Sequence, residues 1–301
     1  MSLKHLVAAT ISLSVGSFAH AANLTFEQLI TIPTAIGEVP GVDATPLGIA
    51  FGGGNLNFVA RPESEPEQLH RITPDGAYVS STIIPQTSDL DIEGLTFLPN
   101  GNLILANNDT SRRRVTEVDP ITLNPITNGI DFDPNSAFQE FLGNPIAMDA
   151  VGITYHADRN TLFVASSSDQ EIIEFDLDGN SLGSFFTTDI NAGFLGPQGI
   201  VFDSVTGNLF IADSEFGAVY ETTVDGTLIN TTNVEALSGR QFPSGLALDS
   251  ATRTLYVAFG ETLPEDTIGV FTLTNPIPEP TSAVFSLFAV GALLLRRRRL
   301  A

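Results

Sequence analysis

The sequence predicts an all-β ring of repeated four-stranded units, and two observations carry that prediction. Five segments open alike: Pro46-Leu-Gly-Ile-Ala-Phe51, Ile92-Glu-Gly-Leu-Thr-Phe97, Ala150-Val-Gly-Ile-Thr-Tyr155, Pro197-Gln-Gly-Ile-Val-Phe202 and Pro243-Ser-Gly-Leu-Ala-Leu248. Their glycines (Gly48, Gly94, Gly152, Gly199, Gly245) are spaced 46, 58, 47 and 46 residues apart, and each is followed 12 or 13 residues later by an alanine (Ala60, Ala106, Ala165, Ala212, Ala258). A short alternating strand follows each glycine, a second ends at each alanine, and a third and fourth lead to the next glycine. A four-stranded antiparallel unit recurring at 40 to 50 residues is the signature of a β-propeller blade, so the expected fold is a single β-propeller of five blades, with six as the alternative.

Each element has its own justification. The glycine opens the innermost strand, where blades crowd the axis and a side chain would obstruct. The alanine sits where sheets face each other closely. Residues two apart in the first strand, such as Ile49/Phe51 and Ile200/Phe202, share a face and would fill the space between blades. In three repeats the third strand ends on a hairpin signal: Asp75-Gly76, Asp178-Gly179 and Asp225-Gly226. The fifth repeat stops after Thr272-Leu-Thr274 without an outer strand, while the strand-like stretch from Leu24 to Ile32 belongs to no repeat. That stretch is expected to complete the last blade and close the ring, which would remove two exposed edges. The extra residues from Asp131 to Met148 are too few for a blade and read as a loop or short helix, Ser136 to Phe141.

The units are similar to NHL-type propeller repeats, most closely in Gly199-Ile-Val-Phe-Asp-Ser-Val-Thr-Gly-Asn-Leu-Phe-Ile-Ala-Asp213. The resemblance implies fold more than function, because propellers host binding, lactonase, phytase and lyase activities alike.

Both termini read as addresses. Residues 1–21 carry Lys4, an apolar stretch from Leu6 to Phe18 and the small-x-small site Ala19-His20-Ala21, the layout of a secretory signal peptide that signal peptidase would remove before Ala22. Residues 22–275 are the propeller. Residues 276–301 hold Pro278-Glu279-Pro280, an uncharged apolar run from Thr281 to Leu295, and the stop-transfer cluster Arg296-Arg297-Arg298-Arg299. The run is 15 residues, short of the roughly 20 that span a bilayer comfortably, and the arginines would stay on the cytoplasmic side. This order resembles the PEP-CTERM sorting signal. The resemblance implies a C-terminal hydrophobic helix as a transient inner-membrane anchor, cleavage near the tripeptide by an exosortase, and delivery to the cell surface or extracellular matrix of a Gram-negative-type bacterium.

Composition narrows the function classes. Without the two terminal segments the chain has 8 arginines, no lysine and 34 acidic residues, a net charge of −26. Such a surface repels nucleic acid and anionic lipid. The absence of cysteine excludes thiol catalysis and disulfides. Only His70 and His156 remain after signal removal, neither with neighbours at metal-ligand spacing. His156, just after an inner strand, reads as a loop or surface residue or as one near an end of the axial channel. No Gly-rich phosphate loop occurs.

A propeller places functional groups at strand ends. Among the residues that precede each repeat glycine or follow each alanine, Glu93, Asn107 and Asp213, with nearby Asp109, are the oxygen donors best suited to a hard cation such as Ca²⁺. Asp91-Ile-Glu93-Gly94 resembles the glutamate-glycine start of gluconolactonase-type and esterase-like phytase propellers, which implies a Ca²⁺-dependent hydrolase as one reading. The other channel positions are largely apolar or neutral, so the leading reading is a non-catalytic exported propeller with no cofactor that binds an extracellular polysaccharide or a protein, with a structural matrix protein of no defined ligand as a further alternative. Arg112-Arg113-Arg114, the only basic cluster of the acidic body, reads as local charge balance or as a patch for an acidic glycan.

Overall fold

A computed structural model describes residues 21–32, 46–60, 67–85, 90–109, 113–134, 148–260 and 267–274. The expected signal segment up to residue 20, the expected helix at 136–141, Arg112 and the whole tail from residue 275 lie outside the described residues.

The strands form five four-stranded antiparallel sheets. β1 (Asn23–Thr31) comes from the N-terminal stretch. Blade 1 is β2 (Ile49–Gly52), β3 (Asn55–Ala60), β4 (Gln68–Ile72) and β5 (Tyr78–Ile83). Blade 2 is β6 (Ile92–Phe97), β7 (Leu103–Asn107), β8 (Arg114–Val118) and β9 (Asp131–Phe132). Blade 3 is β10 (Ala150–His156), β11 (Thr161–Ser166), β12 (Glu171–Phe175) and β13 (Ser181–Phe186). Blade 4 is β14 (Pro197–Asp203), β15 (Asn208–Asp213), β16 (Ala218–Thr223) and β17 (Leu228–Asn233). Blade 5 is β18 (Pro243–Asp249), β19 (Thr254–Phe259) and β20 (Thr267–Thr274), completed by β1. Five blades, not six, make the ring. The segment starting at Asp131 is not only a loop: its first two residues are β9, the outer strand of blade 2.

Closure follows the expected route. β1 pairs antiparallel with β20 from Asn23↔Thr274 to Thr31↔Thr267, so the first strand among the described residues is the outer strand of blade 5. Two free edges disappear in one pairing.

The glycines form a second ring. A Cβ built on Gly48 would lie 2.4 Å from the Glu93 carbonyl oxygen, one on Gly152 2.1 Å from that of Gln198, one on Gly199 2.3 Å from that of Ser244, and one on Gly245 2.7 Å from that of Leu47. Gly94 is less crowded, its Cβ meeting the Ile153 backbone nitrogen at 3.1 Å. Each inner strand therefore begins against the backbone of the next blade, and blade 5 leads back to blade 1. No side chain fits such spaces without moving main chain.

The core is divided rather than central. Five hydrophobic clusters lie between blades, one for each neighbouring pair. Ala106, Ala165, Ala212 and Ala258 are fully buried in them, as expected for small residues where sheets approach. The inner strands also surround an axial cavity of about 180 Å³. Two inner-strand amides are satisfied across blades, Tyr155 N–H donating to Thr96 Oγ1 at 3.3 Å and Phe202 N–H to Thr154 Oγ1 at 3.0 Å.

The hairpin glycines are more constrained than exposed turns need be. Gly76, Gly179 and Gly226 have φ of 92°, 89° and 82°. A Cβ on each would meet Ile30, Phe132 or Phe185 at 2.5 to 2.7 Å, in every case on the outer strand of the preceding blade. These turns pack onto the neighbouring blade, so Gly179 is not a free surface hairpin position.

Candidate functional site at the entry ends of blades 2 and 3

The inner strands all begin at one end of the ring, where the second strands finish. Glu93 lies here, two residues into β6. It is half-buried, and Asn108 Nδ2 donates to its Oε1 at 3.4 Å. Burial pushes its carboxyl up to about 7, and the negative charges of Asp91 and Asp149, with a hydrogen bond to Asp91, act in the same direction.

Arg113 and Asp149 border the pair. Arg113 Nη2 bonds Asp149 Oδ1 at 3.0 Å, and its side chain is only 9% exposed. Its Nε reaches the Asn108 carbonyl at 3.4 Å. Asn108 Oδ1 is buried with no hydrogen-bond partner among the described residues. Asp149 comes from the start of blade 3, so the group straddles the seam between two blades.

Asn107 and Asp213 have a different local role from Glu93. Asn107 Oδ1 accepts from the backbone N–H of Asp91 at 2.9 Å and of Asp109 at 3.1 Å. Asp213 Oδ1 accepts from Gly196 at 3.2 Å, Glu215 at 3.0 Å and Phe216 at 3.4 Å. Ser166 Oγ accepts from Asp149 N–H at 3.2 Å. Asp91, Asp149 and Gly196 each stand three residues before their repeat glycine. The residue after the repeat alanine thus staples the second strand to the chain entering the first, in blades 2, 3 and 4. Burial raises the pKa of Asp213, and its Oδ2 has no partner among the described residues. Asp109 is half-buried beside Asn107. Among the described residues no three His, Asp or Glu side chains form a group able to hold a metal ion.

The remaining candidates are also placed. His156 is not a surface or loop residue: its ring is buried and stacked on Phe202 at 3.9 Å, and burial lowers its pKa. His70 is buried against Phe58 with Nδ1 2.7 Å from Ser81 Oγ, and desolvation lowers its pKa to about 4. Arg114 pairs with Asp131 at 2.6 Å. With Arg113 on Asp149, two of the three clustered arginines balance local acids.

No family model and no curated protein matches the chain. Solved structures similar to it are a Bacteroides thetaiotaomicron protein of unknown function at 11% identity and a TM-score of 0.50, covering 75% of this chain and 58% of that one; a luciferin-regenerating enzyme at 13% and 0.48, covering 84% and 95%; and a catalytically inactive virginiamycin B lyase from Staphylococcus aureus with quinupristin at 15% and 0.45, covering 78% and 83%. The class defined is a five-bladed β-propeller. At such identities the likeness speaks to fold alone.

Proposed function

We propose that this chain is an exported propeller that binds an extracellular glycan or protein through the seam between blades 2 and 3, and that its termini address it to the cell surface or matrix. The observation that carries the binding reading is the polar group at Glu93. A carboxyl pair, a buried arginine and a buried amide oxygen without a partner meet at one strand end. Buried polar atoms are normally paired, so Asn108 Oδ1 marks where a donor such as a sugar hydroxyl completes the bonding. Carboxylates accept and guanidinium and amide groups donate, the inventory a hydroxyl-rich ligand requires.

The addressing rests on the sequence: Lys4 to Ala21 at one end, and Pro278-Glu279-Pro280 with Arg296 to Arg299 at the other. The partners implied are signal peptidase and an exosortase. Fractionating source cells with and without the sorting enzyme tests this part. The expected result is surface or matrix protein lacking any peptide from Val284 to Ala301, and retention in the inner membrane without the enzyme. An intact C-terminus on the extracellular protein would overturn it.

A second reading, a hydrolase of the gluconolactonase or phytase type, is favoured by Glu93, whose carboxyl is pushed up to about 7 and so suits proton transfer near neutral pH. In that reading a Ca²⁺ ion would be held near Glu93. Calorimetry with Ca²⁺ on the parent and on Glu93→Ala separates the readings: specific binding lost in the variant supports the hydrolase, and identical weak binding leaves the glycan or protein reading.

A further inference from the structure

The first residue of the expected mature chain is held in an unusual way. Ala22 is 1% exposed, and its backbone nitrogen donates to Glu221 Oε2 at 2.7 Å across 199 residues of sequence. Its carbonyl oxygen accepts from Asn230 Nδ2 at 2.8 Å. Glu221, on β16 of blade 4, is 2% exposed, and its Oε1 accepts from Asn208 Nδ2 at 2.7 Å. Both oxygens of a buried carboxylate thus rest on neutral donors. The charged neighbours are Asp203 and Arg253, which are paired with each other at 2.6 Å and act on Glu221 with opposite signs. A buried carboxylate without a cation of its own is costly.

We infer that Glu221 is the docking site for the α-ammonium group that signal-peptide removal creates at Ala22. The inference rests on the signal-peptide reading of the proposed function. Hydrolysis of the Ala21–Ala22 peptide bond adds one water across it. A carboxylate stays on Ala21, and the amine on Ala22 takes up a proton. The atom that was an amide donor becomes a cation at the same place, within hydrogen-bond distance of a buried anion. Charge-assisted bonds are roughly twice as strong as neutral ones. Ala22 immediately precedes β1, so the new ion pair clamps the strand that closes the ring. Ala21 is only half-buried, so the uncleaved chain can also reach this position; cleavage changes the charge rather than the shape. Processing would therefore strengthen ring closure after export.

The composition offers a clean test. Lys4 is the only lysine of the whole chain and lies in the signal, so a chain beginning at Ala22 carries its α-amine as its sole primary amine. That chain, otherwise unchanged, is acetylated in denaturant with an amine-reactive reagent and refolded beside an untreated sample. The acetyl group restores the neutral amide and stands where Ala21 stood. Acetylation should lower the melting temperature at neutral pH by about 2 °C or more. In Glu221→Gln the same treatment should make no difference.

The pH dependence has a defined sign. An amine that gains an anionic partner on folding has its pKa raised above the unfolded value of about 7.7–8.0. Its contribution is full below that value and is lost as pH rises through the folded pKa. The gap between the two samples should therefore close in alkali. Equal melting of acetylated and free chains at neutral pH, or a gap that persists in Glu221→Gln, would overturn the inference. N-terminal sequencing of the exported protein checks the underlying reading separately. A start at Ala22 supports it, and any other start removes both the cleavage reading and the clamp built on it.

Discussion

Blades 2 and 4 use the same joint for different ends. In both, the residue after the repeat alanine turns inward and holds backbone N–H groups, Asn107 on Asp91 and Asp109, Asp213 on Gly196, Glu215 and Phe216. In both, the next position to compare precedes the repeat glycine, and there they part. Blade 2 has Glu93 beside Asp91 and Asp149; blade 4 has Gln198, whose Nε2 reaches Ser167 Oγ at 3.4 Å. The repeated residues build the ring. Blade 2 departs from the repeat at this position, and there the negative charges of Asp91 and Asp149 add to burial in raising the Glu93 carboxyl to about 7.

The comparison breaks first if the glycine ring is not what holds the inner strands. Gly199→Ala puts a methyl group 2.3 Å from the Ser244 carbonyl oxygen and 2.6 Å from the Leu246 nitrogen, both main-chain atoms. It should destabilise by about 3 kcal/mol or prevent folding. Gly183→Ala in blade 3 meets nothing within 4 Å and should stay within about 0.5 kcal/mol. Chemical denaturation of the two variants gives the answer, and similar small losses would sink the close-approach account.

The two staples come next in size. Asn107→Ala and Asp213→Ala each strand backbone donors inside the ring end and should each cost about 1–3 kcal/mol in thermal or urea melts. The effect should be shared because the joint is shared. A loss at one position with none at the other would mean that the blades are not equivalent there.

A pH-dependent effect separates the blades. The folded-state pKa of Glu93 is raised to about 7 from the ordinary glutamate value of 4.5. The folded state therefore binds more protons between those values, and stability falls as pH rises from about 4.5 to about 7. Glu93→Gln should remove that part of the slope. Gln198→Ala in blade 4 should leave it unchanged. Melting temperature followed against pH checks both, and an unaltered slope in Glu93→Gln would place the titrating group elsewhere.

Much of this architecture is legible in the sequence, for a physical reason. A ring of identical joints repeats its constraints, so the glycines, the alanines and the unpaired strand at each end of the chain reveal blade number and closure. Asn107 and Asp213 occupy matched strand ends, which reads as a convergent ligand set, and in blades 2, 3 and 4 the residue at that position also holds the backbone entering the inner strand. Ser166 at the same offset is the clue to that role. The group around Glu93 was legible only in part. Asp91 is two residues away, but Asp149 and Arg113 meet across 36 residues of sequence, through a seam between blades. The contact of Ala22 with Glu221 depends on ring closure, and no local pattern announces it. The expected sorting segment, residues 276–301, lies outside the described residues.

The seam between blades 2 and 3 is the proposed ligand surface of this propeller. Glycan-array binding, with immobilised surface proteins of the source cell on the same support, tests it most directly when the parent protein is compared with Glu93→Gln, Asn108→Ala and Gln198→Ala. The account predicts a discrete set of bound ligands for the parent, binding reduced tenfold or more by either change at the seam, and no change for the blade 4 variant. Equal binding by all four proteins, or loss confined to Gln198→Ala, would contradict it.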